Sequence, residues 1–162
     1  MTKPVAFVAY SSQPSQVGAS IEGAVELYNR SNLPFLAESW RQIDIPGRFI
    51  VRRILEKIQA APFVVADLTR LNFYVTFEVG YAMGQEKRVV LVLNRAIEPE
   101  TKDITQLGVF DTLGHREYTN AQELLSILEN VMQTSPLRFP AIDLDRSAPI
   151  YLLDTLIKRM PH

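Results

Sequence analysis

Val64–Asn94 reads VVADLTRLNFYVTFEVGYAMGQEKRVVLVLN, and three parts of it decide the fold. The first part, preceded by Pro62 and Phe63, is a short apolar run that stops on Asp67, the pattern of a strand buried on both faces. The last part, Lys87–Asn94, is a second run of the same kind. Between them, Phe73–Met83 reads as a helix, with Asn72 placed to cap its N-terminus. Strand, helix and strand in that order form a parallel crossover unit.

The same alternation extends in both directions. Upstream lie a strand at Pro4–Tyr10 and a helix over Ala19–Asn29, in which Ile21, Ala24, Val25 and Tyr28 recur at helical spacing. A strand at Leu33–Trp40 follows, then a helix over Arg48–Ala60 with Phe49, Ile50, Ile54, Leu55 and Ile58 inward. Downstream, Arg95–Tyr118 is irregular, with a short fifth strand at Gly108–Thr112. A helix over Asn120–Thr134 turns Leu124, Leu125, Ile127, Leu128 and Val131 inward. The alternation predicts an α/β domain over residues 1–134. Residues 135–162 read as a C-terminal extension: a proline-rich stretch, then a short amphipathic helix that suits a junction to a further domain.

With 162 residues the chain is long enough for one domain with a real core, and 47% hydrophobic residues argue against disorder. A net charge of −1 argues against nucleic acid as a partner, because backbone binding needs a surplus of Lys and Arg. Absence of cysteine removes thiol nucleophiles and thiolate metal sites, and fits a cytoplasmic location. The sequence contains no apolar run of membrane-spanning length and no signal-like N-terminus. His115 and His162 stand 47 positions apart with no ligand-spaced partner, so no metal is expected. No serine-hydrolase elbow, dinucleotide-binding glycine motif or P-loop occurs.

Glu78 is the anomaly in the central stretch. An unpaired carboxylate is costly to bury, so it needs either a partner or a purpose. A salt bridge to Arg48, Arg52 or Arg70 is one reading. A pocket is the other, with Tyr74, Tyr81, Ala82 and Gln85 on the same face and Val75, Phe77, Val79 and Met83 opposite. Ligands of open parallel sheets bind outside the carboxyl ends of the strands. Those ends carry Tyr10, Ser11 and Ser12, then Glu38, Ser39, Trp40 and Arg41, then Asp67 and Thr69, then Asn94. Asp67 reads either as a strand-terminal turn acid or as a second carboxylate of the pocket, and Trp40 as core or as a stacking platform. Gly80, beside Glu78, suggests close approach of a backbone or ligand. Two acids at one rim suit chemistry at an anomeric carbon, where a carboxylate stabilises or traps an oxocarbenium-like state.

The Val64–Asn94 run resembles the signature of the nucleoside 2-deoxyribosyltransferase-like and TIR-like superfamily. In that signature a strand ending in Asp-Leu-Thr precedes a helix bearing Glu-φ-Gly-Tyr-Ala. Ala6–Gln13 (AFVAYSSQ) and Ile45–Thr69 are similar to the group's first strand and to its second helix with third strand. The resemblance implies a flavodoxin-like, doubly wound fold of about five mostly parallel strands with helices on both faces. It also implies Glu78 as the catalytic carboxylate, Asp67 as a group positioning base or sugar, and Tyr10 beside the ligand. Ser11, Trp40, Asn72 and Tyr81 complete the candidate site. Members often carry Asn-x-Asn-Val where Asn72–Val75 reads NFYV, so Tyr74 departs from the pattern. The implied activity is N-glycosidic cleavage of NAD or a related nucleotide by an effector in defence or signalling. Alternatives are deoxyribosyl transfer between free bases and a catalytically silent, self-assembling signalling module. NAD or a nucleoside would be substrate rather than cofactor. A homo-oligomer or an attached sensor domain is the expected partner, and no membrane.

Overall fold

The computed structural model describes residues 2–43, 50–70, 72–97 and 114–133. Five strands, β1 (Val5–Ala9), β2 (Leu36–Ser39), β3 (Phe63–Asp67), β4 (Arg88–Asn94) and β5 (Arg116–Tyr118), form one sheet in the order β2-β1-β3-β4-β5. All four pairings are parallel. This is the flavodoxin-like, doubly wound arrangement, and its strand order reverses between β1 and β3.

Side-chain alternation along each strand divides the core in two. Ala6 and Val8 of β1, Phe63 and Val65 of β3, and Val90 and Val92 of β4 pack against helices α1 (Ser15–Arg30) and α4 (Ala121–Glu129). Phe7 and Ala9, Val64 and Ala66, and Val89 and Leu91 pack on the other face against α2 (Ile50–Ala60) and α3 (Phe73–Gly84). In β1, β3 and β4 side chains alternate with period two and both phases are apolar, because both faces of the central sheet are covered.

Element boundaries differ from the sequence expectation where polar residues hide structure. Helix α1 starts at Ser15, because Val17 and Gly18 already belong to its inward stripe with Ile21, Ala24, Val25 and Tyr28. The second strand stops at Ser39, and Trp40–Gln42 form a 3₁₀ turn. Asn29 of α1 holds the edge strand in place: its amide donates to the Ala37 carbonyl and its carbonyl accepts the Ala37 N–H, both at 2.8 Å. The described fifth strand, Arg116–Tyr118, contains two charged residues and no apolar run, so periodicity had no signal there. The strand expected at Gly108–Thr112, the start of the second helix at Arg48 and Phe49, the boundary near Ser135 and the trailing helix all lie outside the described residues. Among the described residues no helix is long and apolar enough to cross a membrane.

Helix α3 ends in a Schellman turn, in which the Lys87 N–H donates to the Ala82 carbonyl and the Glu86 N–H to the Met83 carbonyl, each at 2.9 Å. Glu86 occupies the left-handed region at φ 54°, where glycine is the usual residue. Glu86→Gly is expected to raise stability by about 1 kcal/mol by relieving the Cβ clash. A urea titration checks this, and an unchanged or lower midpoint would contradict it.

Candidate active site

A cavity of about 280 Å³ opens at the carboxyl edge of the sheet beside the β1/β3 reversal. Tyr10 and Ser12 line it from the end of β1, Trp40 from the end of β2, Ile50, Val51, Ile54 and Leu55 from α2, and Asn72, Tyr74, Phe77 and Glu78 from α3. Glu78 is its only charged wall residue among those described.

Glu78 reaches the cavity from the inward side of α3. The buried residues of that helix are Val75, Glu78, Val79 and Ala82, spaced as one helical stripe. Glu78 therefore stands where an apolar side chain would ordinarily pack, and it is 7% exposed. It makes no hydrogen bond or ion pair among the described residues. Of its expected partners, Arg52 pairs with Glu56, Arg70 makes its contacts elsewhere than at Glu78, and Arg48 lies outside the described residues. Burial without a compensating partner pushes its carboxyl up from the ordinary 4.5 to about 7.

Phe77 corrects the expected face assignment of α3. It is 44% exposed, at the cavity mouth with Tyr74, and Phe73 stacks on it at 6.5 Å between ring centroids. The helix is apolar all round, so its sequence pattern did not single out the inward stripe. Among the described residues nothing lies within 4 Å of where a Gly80 Cβ would stand, so no other backbone approaches it closely there. Asn72 caps α3 as expected, its Oδ1 accepting the Val75 N–H at 2.9 Å, and also lines the cavity.

The aromatic wall comes from Tyr10 and Trp40, with ring centroids 5.9 Å apart and planes tilted by 38°. Trp40 packs against both halves of the core, as befits a residue just past the end of the sheet. The Arg41 guanidinium lies 5.5 Å from the Trp40 ring centre, within cation–π range. Close approach of Tyr10 to α1 depends on Gly18, where an added Cβ would come within 3.3 Å of the ring.

Asp67 does not join this group. It continues the phase of Phe63 and Val65 and therefore belongs to the α1/α4 side, opposite Glu78. Its Oδ2 accepts the Tyr118 hydroxyl at 2.7 Å, and its Oδ1 accepts the Thr69 N–H at 3.0 Å. The Thr69 hydroxyl in turn accepts the Asn94 N–H at 2.7 Å, tying the ends of β3, β4 and β5 together. Burial raises the Asp67 pKa, while these hydrogen bonds oppose the rise. The arrangement expected from sequence, two carboxylates at one rim, is thus split across the sheet by strand parity.

Ser11 and Tyr81 are also outside the cavity wall: Ser11 is buried and accepts the Gln13 N–H at 3.3 Å, and Tyr81 packs on the α2/α3 half of the core. Ser12 lines the cavity from the expected rim, whereas the α2 residues were absent from the expected site, as was Glu22. Glu22 sits at the margin of the α1 stripe, four residues after Gly18 and three before Val25, but its partners come only from the ends of β1 and β2. Among the described residues no cluster of three His, Cys, Asp or Glu is arranged to hold a metal.

The fold and this edge define a doubly wound α/β domain with a small ligand cavity at the switch point. No family profile and no curated protein match the sequence. Among solved structures, the chain is similar to a conserved protein from Enterococcus faecalis, 14% identical, covering 82% of this chain and 99% of that one at a TM-score of 0.56. It is likewise similar to a CMP N-glycosidase from Clostridium botulinum, 16% identical, covering 76% of this chain and 96% of that one at a TM-score of 0.52. A 2-deoxyribosyltransferase from Leishmania mexicana matches 57% of this chain at 18% identity with a TM-score of 0.47, and the chain spans 65% of that protein. At these identities the likeness is one of fold.

Proposed function

We propose that this protein cleaves the N-glycosidic bond of a nucleoside or nucleotide, with Glu78 as the carboxylate that meets the anomeric carbon. One observation carries the reading: Glu78 is buried, has no partner among the described residues, and opens on a cavity whose wall includes the rings of Tyr10, Trp40, Tyr74 and Phe77. Such a carboxylate is poorly solvated and therefore a better nucleophile than one in water. Attack of its oxygen on C1′ breaks the C1′–N bond and leaves a glycosyl ester; the base of a neutral nucleoside takes a proton from solvent as it departs, whereas nicotinamide departs from its cationic glycoside already neutral. Water resolves that ester in a hydrolase, and a second base resolves it in a transferase.

The other walls suit the rest of such a ligand. Trp40 and Tyr10 offer faces for a planar base, and the apolar α2 side chains exclude water. Among the described residues the Asn72 amide N–H groups have no acceptor and its carbonyl alone is used in the cap, which leaves those donors for a sugar hydroxyl. A volume of about 280 Å³ fits one nucleoside unit, free or as part of a dinucleotide. NAD cleavage by a TIR-like effector in defence and base exchange on deoxynucleosides are the finer readings, and both rest on the sequence resemblance. CMP is the substrate named for the C. botulinum fold neighbour.

Chromatography of purified protein incubated separately with NAD, CMP and 2′-deoxynucleosides tests the proposal. Free base is expected from at least one of them, and a second added base yields an exchanged nucleoside if the activity is transfer. All three left intact by the wild-type protein would overturn the reading. Attack requires the ionised carboxylate, so kcat/KM is expected to rise with pH and level off above about 7. A profile that falls across that range would assign Glu78 the role of proton donor instead.

A further inference from the structure

We infer that Glu22 is a positioning residue that pins the Tyr10–Trp40 wall of the cavity. The inference deepens the N-glycosidase reading and rests on it for the identity of the ligand. Glu22 lies on α1, outside the cavity wall, yet its Oε1 alone accepts two hydrogen bonds. The Tyr10 hydroxyl donates to it at 2.5 Å and the Ser39 hydroxyl at 2.6 Å. One donor follows β1 and the other ends β2, so a single carboxylate oxygen joins the residues flanking the aromatic wall.

The consequence for Tyr10 is specific. Its hydroxyl is engaged by α1, which leaves its ring as the part that borders the cavity. Burial, then the hydrogen bond to Glu22 and its charge, raise the Tyr10 pKa well above the ordinary phenol value. Tyr10 therefore contributes a surface and not a proton. Two further contacts fix the same ring: Gly18 admits it against α1, and Trp40 meets it at 5.9 Å. Ser39, completely buried, immediately precedes Trp40 in the chain, so its bond to Glu22 also anchors the turn that carries the indole. A wall held in this way is ordered before a base arrives, which lowers the conformational cost of binding.

The test uses the fact that Trp40 is the protein's only tryptophan. Wild type, Glu22→Ala, Glu22→Gln and Tyr10→Phe are compared by acrylamide quenching of Trp40 emission. They are then compared by KM and kcat on whichever of NAD, CMP or a 2′-deoxynucleoside is cleaved. Glu22→Ala and Tyr10→Phe are expected to increase quenching and to raise KM about 3–10-fold. The kcat should stay within about 2-fold, because the reacting carboxylate is untouched. Glu22→Gln, which keeps an acceptor oxygen, should restore most of the wild-type behaviour. Unchanged quenching in Glu22→Ala, or a change that Tyr10→Phe does not reproduce, would overturn the inference. Loss of kcat without change in KM would overturn it too. If no substrate is cleaved by wild type, the N-glycosidase reading fails while quenching still decides the role of Glu22.

Discussion

Glu78→Gln is expected to abolish base release and, at pH 8, to make the protein more stable. Both effects follow from one desolvated carboxylate. The group titrates at about 7 in the folded protein against an ordinary 4.5, so between those values the folded state holds a proton that the unfolded state has lost. Stability therefore falls as pH rises through this window, by on the order of 3 kcal/mol in total, and stays low above it. Glutamine cannot ionise, so it removes the penalty but leaves an amide buried with few partners. The net gain at pH 8 is about 2 kcal/mol, or roughly 4–8 °C in melting temperature. At pH 4 the difference should vanish or reverse. Activity moves the other way, since the amide cannot attack C1′, and a loss of roughly 10²-fold or more is expected. Thermal melts at both pH values and base release at pH 8 check the pair. A melting temperature below wild type at pH 8 would mean that Glu78 has a stabilising partner.

Tyr118→Phe is expected to destabilise the fold while leaving the ligand cavity intact. Tyr118 is fully buried, and its hydroxyl is the donor to Asp67 Oδ2 at 2.7 Å. Phenylalanine preserves the packing and deletes only that donor, leaving the buried Asp67 with its hydrogen bonds to Thr69. The cost is about 2–3 kcal/mol, roughly 4–12 °C in melting temperature. Its pH dependence is informative. Burial already raises the Asp67 pKa, and the Tyr118 hydrogen bond opposes that rise. Without Tyr118 the pKa moves further up, so the loss should be larger above the folded-state pKa of Asp67 than below it. Neither residue lines the cavity, so KM of the folded fraction should match wild type. Wild-type stability with lost activity would instead place Asp67 in the chemistry.

Much of the fold was legible because β3, β4 and the helix between them carry unambiguous patterns: apolar runs buried on both faces and an asparagine cap. What was not legible had physical causes. The strand at Arg116–Tyr118 is specified by pairing with β4, through Val92↔Arg116 and Asn94↔Tyr118, not by its own composition. Glu78 was readable as an anomaly, but the face it occupies was not, because an all-apolar helix gives no amphipathic signal. Asp67 and Glu78 stand near one sheet edge in sequence terms, which by itself does not separate a second pocket carboxylate from a strand-terminal acid. Strand parity decides the side, and Phe63 and Val65 already fixed it. Glu22 was overlooked because a glutamate on a surface helix normally reads as solvated, and only the tertiary approach of Tyr10 and Ser39 gives it partners.

The ionisation of Glu78 tests the account most directly and needs no substrate. With glutamate labelled at the side-chain carboxyl carbon, the Glu78 resonance is identified by its absence from the spectrum of Glu78→Gln and followed through a pH titration. A midpoint near 7 is predicted for a buried carboxylate with no partner among the described residues. A midpoint at or below 4.5 would contradict it, because that value belongs to a solvated or salt-bridged group.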